Sequence, residues 1–222
     1  MSKYILYGGR YTRSLVTEAA LIEGGIGYLL REINIANNEH LSEEYLKINP
    51  TGLVPTLVTP EGEVLHECPA INLYLVDRHK ITSLAPGVDD PDRAQFLSSL
   101  FYITGEIEPI MKRYFYPHRY GVRESDWGEI KKLAMTDALK RFSVLDQKIE
   151  KSGPYQLGKR SSLADITLAY WVLSCDLDLF KDAFPSLSAS VQRIVNRPRI
   201  ARLFEDLRSD ISAYKNFSEN SV

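Results

Sequence analysis

Apolar positions recur along this chain at two different periods, and the change between them divides it. Residues 4 to 8 (YILYG) form an apolar run of strand length, and residues 13 to 23 (RSLVTEAALIE) carry Leu15, Ala19 and Ile22 on one helical face. Glycines at 24, 25 and 27 stop that helix. A second strand, YLLREIN, leads into the polar loop 36 to 42, and a short helix, SEEYLKI, is terminated by NPTG. A strand over Thr56–Thr59, the turn PEGE and the strand VLHE form a hairpin, and CPAINLYLVDRH reads as a helix. The order β-α-β-α-β-β-α predicts a mixed four-stranded sheet, a parallel pair with a hairpin added at one edge.

Strand signals end at position 92. The segments 92–116, 125–153 and 162–177 all carry apolar residues at helical period, as do two shorter ones ending in RIARLFEDLR. The join is rich in Pro, Gly and Asp. The predicted organisation is an α/β domain over 1–82, a linker over 83–91 and an all-helical domain over 92–222. The final residues, KNFSENSV, are polar and predict a frayed end.

Composition removes several kinds of partner. A formal net charge of -2, from 27 basic and 29 acidic residues, sets up no field that would gather nucleic acid or an anionic membrane. Cys68 and Cys175 are too far apart for a disulfide framework or zinc spacing, so a reducing compartment and no metal are expected. The N-terminus lacks the apolar run of a signal peptide, and no stretch approaches the roughly 18 apolar residues of a membrane span. The chain reads as cytoplasmic.

Two short stretches carry chemistry. Pro55 stands at the mouth of the third strand, where a residue without an N–H is tolerated only at a strand's start, an edge or a bulge. In HECPAI, Pro69 suits the first turn of a helix, which places Cys68 near the N-cap with Glu67 just before it. Free N–H groups and the helix dipole make such an end attractive to a carboxylate. Further on, Ser162 and Asp165 precede an apolar run as a capping box.

The element order, Val54-Pro55, ECPAI at 67–71 and SSLADITLAYW at 161–171 together resemble the cytosolic glutathione transferases over nearly the whole chain. The run HLSEEYLKINPTGLVPTLV is similar to the delta-class and bacterial pattern. The resemblance implies a thioredoxin-like N-terminal domain, an all-helical C-terminal domain, glutathione as cosubstrate, a small electrophile or peroxide as second substrate, and a twofold homodimer. It also implies a cis Val54-Pro55 bond; on the dipeptide alone, a trans proline opening an edge strand is the simpler reading. Val54 is then expected to offer its backbone to the cysteinyl part of glutathione. Glutathione's γ-glutamyl carboxylate is expected at Cys68, where the family usually has Ser, and Glu67 is expected to pair with the α-ammonium.

A transferase must hold the glutathione thiol as a thiolate, which one or two hydrogen bonds to charge can achieve. The serine that the delta class uses matches Gly9. The remaining hydroxyls are Tyr7, Tyr11 and Thr12, with Ser14 more distant. Tyr7 ranks first because it precedes Arg13 by six residues, the separation found in the tyrosine-type classes, and Arg13 in a first helical turn calls for a nearby anion such as the thiolate. Strand alternation fits Tyr7 equally to the core. Thr12 also suits a helix cap, and Arg10 could add positive charge. His40 matches a delta-class position near the glycyl end, whereas Gly52 and Pro69 stand where two carboxylate contacts are usual; Lys47 or Arg10 could compensate. Thr104, Glu108, Met111 and Phe115, with Tyr114 and Tyr116 adjacent, recur at helical spacing as an electrophile wall, and Pro109 should kink that helix. A thioredoxin-type oxidoreductase would need a cysteine after the first strand, and GGRYTRS has none. The competing reading is a glutathione-binding or protein-interaction module without turnover.

Overall fold

The computed structural model describes residues 3–9, 11–175 and 177–219. Packing divides the chain into one unit of Met1–Val88 with Val195–Val222 and a second of Asp89–Ile194. The boundary expected at 82 to 92 therefore falls after Val88. The last helix, which chain order assigns to the helical half, groups by its contacts with the first unit.

The first unit is built on strands β1 (Tyr4–Gly8), β2 (Tyr28–Glu32), β3 (Thr56–Val58) and β4 (Val64–His66), in the spatial order β2-β1-β3-β4. β1 and β2 run parallel, while β3 is antiparallel to both β1 and β4. Helices α1 (Ser14–Gly24), α2 (Glu43–Ile48) and α3 (Cys68–Arg78) complete the expected order. Alternation along β1 buries Tyr4, Leu6 and Gly8 and turns Ile5 and Tyr7 to a half-buried face. Tyr4, Leu6, Leu21, Leu57, Ile71 and Leu75 form the core, so α1 and α3 cover one face of the sheet. Truncating any of its leucines to alanine costs about 2–5 kcal/mol at such packed positions.

Helix α1 stops where the glycines predict, because Gly25 takes φ 65 and its N–H caps the carbonyl of Ile22. Beyond the second unit, α10 (Ala201–Glu219) runs past the point where the sequence predicts fraying; residues 220–222 of that tail lie outside the described residues. Arg197 just before α10 holds the Glu23 carboxylate with two bonds of 2.8 and 2.9 Å, and Arg199 donates to the Glu23 carbonyl at 2.9 Å. The Glu23 side chain is 7% exposed, so this pair anchors the terminal segment to the end of α1.

The second unit contains α4 (Arg93–Tyr102), α5 (Glu108–Phe115), α6 (Trp127–Ser152), α7 (Leu163–Leu173), α8 (Leu177–Ala183) and α9 (Pro185–Val195). The single helix expected over 92–116 is interrupted. A π-helical turn over Ile103–Ile107 separates α4 from α5, and the Glu108 N–H reaches the Ile103 carbonyl. Pro109 explains it: proline has no N–H for the Gly105 carbonyl and its ring would collide there, so the ladder widens one residue earlier.

Helix α7 is buried along its whole length and starts with the predicted capping box. Asp165 accepts from the N–H groups of Gln156 and Ser162, each at 2.8 Å, and from the Ser162 hydroxyl at 3.1 Å. Burial outweighs these bonds and pushes the carboxyl up to about 6 from an ordinary 3.8. With the folded value raised, its contribution to stability is complete below the unfolded value and is lost as pH rises through about 6. The excess unfolding free energy of wild type over Asp165→Asn should therefore fall by roughly 1–3 kcal/mol between about pH 4 and pH 7. Urea titrations at both values measure it, and a constant difference would contradict this assignment.

Candidate functional site

The sequence folds the region around Val54 by burying polar side chains beneath it. Tyr45 on α2 is 2% exposed, and burial raises its pKa, so its hydroxyl stays protonated and donates to the Leu53 carbonyl at 2.7 Å. The Asn49 amide donates to the same carbonyl at 3.0 Å and to the Thr56 hydroxyl at 2.8 Å. Its other end accepts from the N–H and hydroxyl of Thr51 at 3.1 and 2.8 Å. Residues 51, 53 and 56 are thereby fixed on both sides of Val54.

Val54 itself is left open. The Val54-Pro55 bond is cis. Strand β4 pairs with β3 only as far as His66 opposite Thr56, and Glu67 at φ 70 then turns the chain into α3. Among the described residues nothing hydrogen-bonds the N–H or C=O of Val54. The exposed end of β3 is thus a short free edge with one donor and one acceptor, the arrangement by which an extended peptide adds to a sheet.

A cleft at this edge is lined by Arg13, Thr51, Leu53, Val54, Pro55, His66, Glu67 and Cys68. Of the expected glutathione contacts, the structure brings together Val54, Pro55, Glu67 and Cys68, with Arg13 beside them. His40 lies against the adjoining loop, its carbonyl 3.2 Å from where a Cβ on Gly52 would stand. Arg10 lies outside the described residues. Thr51, Leu53 and His66 went unremarked in the sequence, although each is within a few positions of Val54 or Glu67.

Helix α3 starts at Cys68 and Glu67 is its N-cap, one position earlier than the sequence suggests. The Cys68 side chain is buried and faces inward. Its thiol lies 3.5 Å from the Arg13 carbonyl, accepts from the Asn72 amide at 3.3 Å and sits 3.8 Å from the Thr17 hydroxyl. It ties the start of α3 to the start of α1.

The hydroxyl candidates are spread. The Tyr7 ring packs against that of Tyr45 at 5.9 Å, on the face of the sheet carrying α2. Thr12 is not the cap of α1; that position is Arg13. The Thr12 hydroxyl donates to the Gly9 carbonyl at 2.7 Å and lies 2.8 Å from the Ser14 hydroxyl, closing the turn before the helix. Tyr11 is 43% exposed and held at φ 57, an uncommon conformation for a residue with a bulky side chain. In the second unit, the Thr104 hydroxyl donates back to the Leu100 carbonyl at 3.1 Å and Met111 is fully buried. The buried Glu108 carboxylate meets Lys112 at 2.8 Å, one turn along its own helix. Tyr114 and Phe115 stack edge to face at 5.2 Å, and Phe115 keeps its ring exposed.

Comparison with known proteins gives the family and the fold. Residues 2–77 match the family model of the glutathione S-transferase N-terminal domain, and residues 109–206 that of the C-terminal domain. The chain belongs to the glutathione transferase family. It is 25% identical over 206 residues to a glutathione S-transferase domain-containing protein of Dictyostelium discoideum, covering 89% of this chain and 76% of that one. A Sulfitobacter glutathione transferase homologue solved with bound glutathione superimposes with a TM-score of 0.81 at 24% identity, covering 92% and 98% of the two chains. The transferase URE2P8 of Phanerochaete chrysosporium, solved with oxidised glutathione, gives 0.82 at 21% identity over 96% and 98%. At these identities the likeness to solved structures establishes the fold. None of the described helices of this family member is long and apolar enough to cross a membrane.

Gly9, where the resemblance expects the delta-class serine, stands in a tight turn. A Cβ there would lie 2.3 Å from the Ile33 carbonyl oxygen, which is backbone and cannot swing aside. Gly9→Ser should therefore destabilise this family member by about 1–3 kcal/mol, as overpacked sites do. The urea midpoint measures it, and an unshifted midpoint would show that the two backbones can part.

Proposed function

We propose that the chain binds glutathione in the first unit and activates its thiol for attack on small electrophiles or for reduction of hydroperoxides. The observation that carries this reading is the open N–H and C=O of Val54 at a cleft that also presents Arg13 and Glu67. A tripeptide laid along the end of β3 satisfies both backbone groups through its cysteinyl residue. The start of α3 and Arg13 then supply positive potential for a carboxylate, and Glu67 supplies the counter-charge for the ammonium. Held this way, the sulfur lies toward the turn after β1, where Tyr11 is the exposed hydroxyl-bearing side chain. Tyr11 takes precedence over Tyr7, whose ring is packed on Tyr45, and over Thr12, whose hydroxyl is spent on Gly9.

The second substrate is placed at the helical unit's apolar residues, with Tyr114 and Phe115 ahead of Thr104, Glu108 and Met111, which have internal partners or full burial. A homodimer and a cytoplasmic setting belong to the same reading. One observation favours a second reading, a glutathione-binding module without turnover: neither Tyr7, Tyr11 nor Thr12 lines the cleft itself.

Calorimetric binding of glutathione, with turnover of an aryl halide and an organic hydroperoxide, separates the two. Binding with turnover of either substrate supports the transferase; binding with neither supports the module; no binding removes both. For the activating group, Tyr11→Phe should raise the pH at which bound glutathione forms its thiolate by about one to two units, the worth of a hydrogen bond to charge. Thiolate absorbance across pH measures it, and an unmoved midpoint would exclude Tyr11.

A further inference from the structure

Two neighbouring side chains in the cleft are uncommitted. His66 is exposed at the end of edge strand β4, and its imidazole makes no hydrogen bond, ion pair or ring contact with another described residue. Glu67 is likewise exposed, and its carboxylate caps nothing. The other polar groups there are engaged: the Thr51 hydroxyl donates to Asn49, and the Cys68 thiol is held among Arg13, Thr17 and Asn72. In a regular strand, residues 66 and 67 would point to opposite faces. The positive φ of Glu67 breaks that alternation, and both residues line one cleft.

A carboxylate and an imidazole side by side complement a group that carries an ammonium and a carboxylate on one carbon, a free α-amino acid end. We propose that His66 is a ligand-binding residue that donates to the α-carboxylate of the γ-glutamyl end of glutathione, while Glu67 accepts from its ammonium. The assignment rests on the glutathione-binding reading above. It also accounts for the inward turn of Cys68: a thiol is a weak donor, this one is occupied elsewhere, and the neighbouring imidazole provides a stronger donor at the same mouth. His66 thus extends recognition of the amino-acid end onto the edge strand, adding a side-chain donor to the α3 N–H groups and the Arg13 charge that already face the carboxylate.

The test compares wild type with His66→Ala, a substitution at an exposed position whose melting temperature should match the parent. Three ligands are titrated calorimetrically: glutathione, its analogue lacking the α-carboxylate (4-aminobutyryl-Cys-Gly) and its analogue lacking the α-amine (glutaryl-Cys-Gly). His66→Ala should weaken glutathione and glutaryl-Cys-Gly about tenfold, the loss of one charge-assisted hydrogen bond. It should leave 4-aminobutyryl-Cys-Gly within about twofold of wild type. Equal glutathione affinity in the two proteins, or an equal loss for all three ligands, overturns the role of His66 while the glutathione site stands. Failure of wild type to bind glutathione overturns the binding reading itself, and this inference with it.

Discussion

The fold of the first unit turns on one unmet requirement, the backbone N–H and C=O of Val54. A sheet satisfies such groups by pairing strands, and here the pairing stops short by design of the local chain. β4 would have to continue beside Val54, but Glu67 adopts a left-handed φ and α3 begins at once. Helix start and strand end are therefore the same event. The turn that opens the edge also delivers the α3 N-terminus, Glu67 and Cys68 to that edge. Beneath it, Tyr45, Asn49 and Thr56 hold the loop by hydrogen bonds that solvent scarcely reaches. An edge kept open on so rigid a base is pre-organised for a peptide, because little conformational entropy remains to be lost on binding.

Much of this was legible in the chain. Strand and helix order in the first unit followed from period and from Gly and Pro punctuation, and the capping box at Ser162 and Asp165 from its spacing. Pro55 and Pro69 marked the two halves of the cleft, since each is tolerated at few backbone positions. Other features depend on tertiary proximity and leave no local trace. Nothing near Tyr45 or Asn49 reveals that their side chains support Leu53 and Thr56. The positive φ of Glu67, which brings His66 into the cleft, cannot be read from a glutamate. The π-turn was half legible: Pro109 signalled a disruption, but a widened turn and a kink answer the same missing donor. The grouping of the last helix with the first unit depends on Arg197 finding Glu23, a pairing across 174 positions.

Gly9 and Cys68 show how substitutions at family positions are absorbed. At Gly9 the approach of the Ile33 carbonyl leaves no room for a side chain, so the hydroxyls of Thr12 and Ser14 fold back onto Gly9 and occupy the turn. At Cys68 the thiol serves as a buried joint between α1 and α3. In both places, a group that resemblance would assign to the ligand is used to hold the scaffold. In the proposed function the polar work of the cleft falls to Arg13, His66 and Glu67, and thiol activation to the exposed end of the β1–α1 turn.

The most direct test is the behaviour of one amide. In a nitrogen-15 spectrum titrated with glutathione, the Val54 N–H should shift strongly downfield and become protected from solvent exchange as the ligand saturates. Its neighbours Leu53 and Thr56, already held from below, should shift much less. A Val54 amide that neither moves nor gains protection while glutathione binds would contradict the claim that this open strand end receives the ligand.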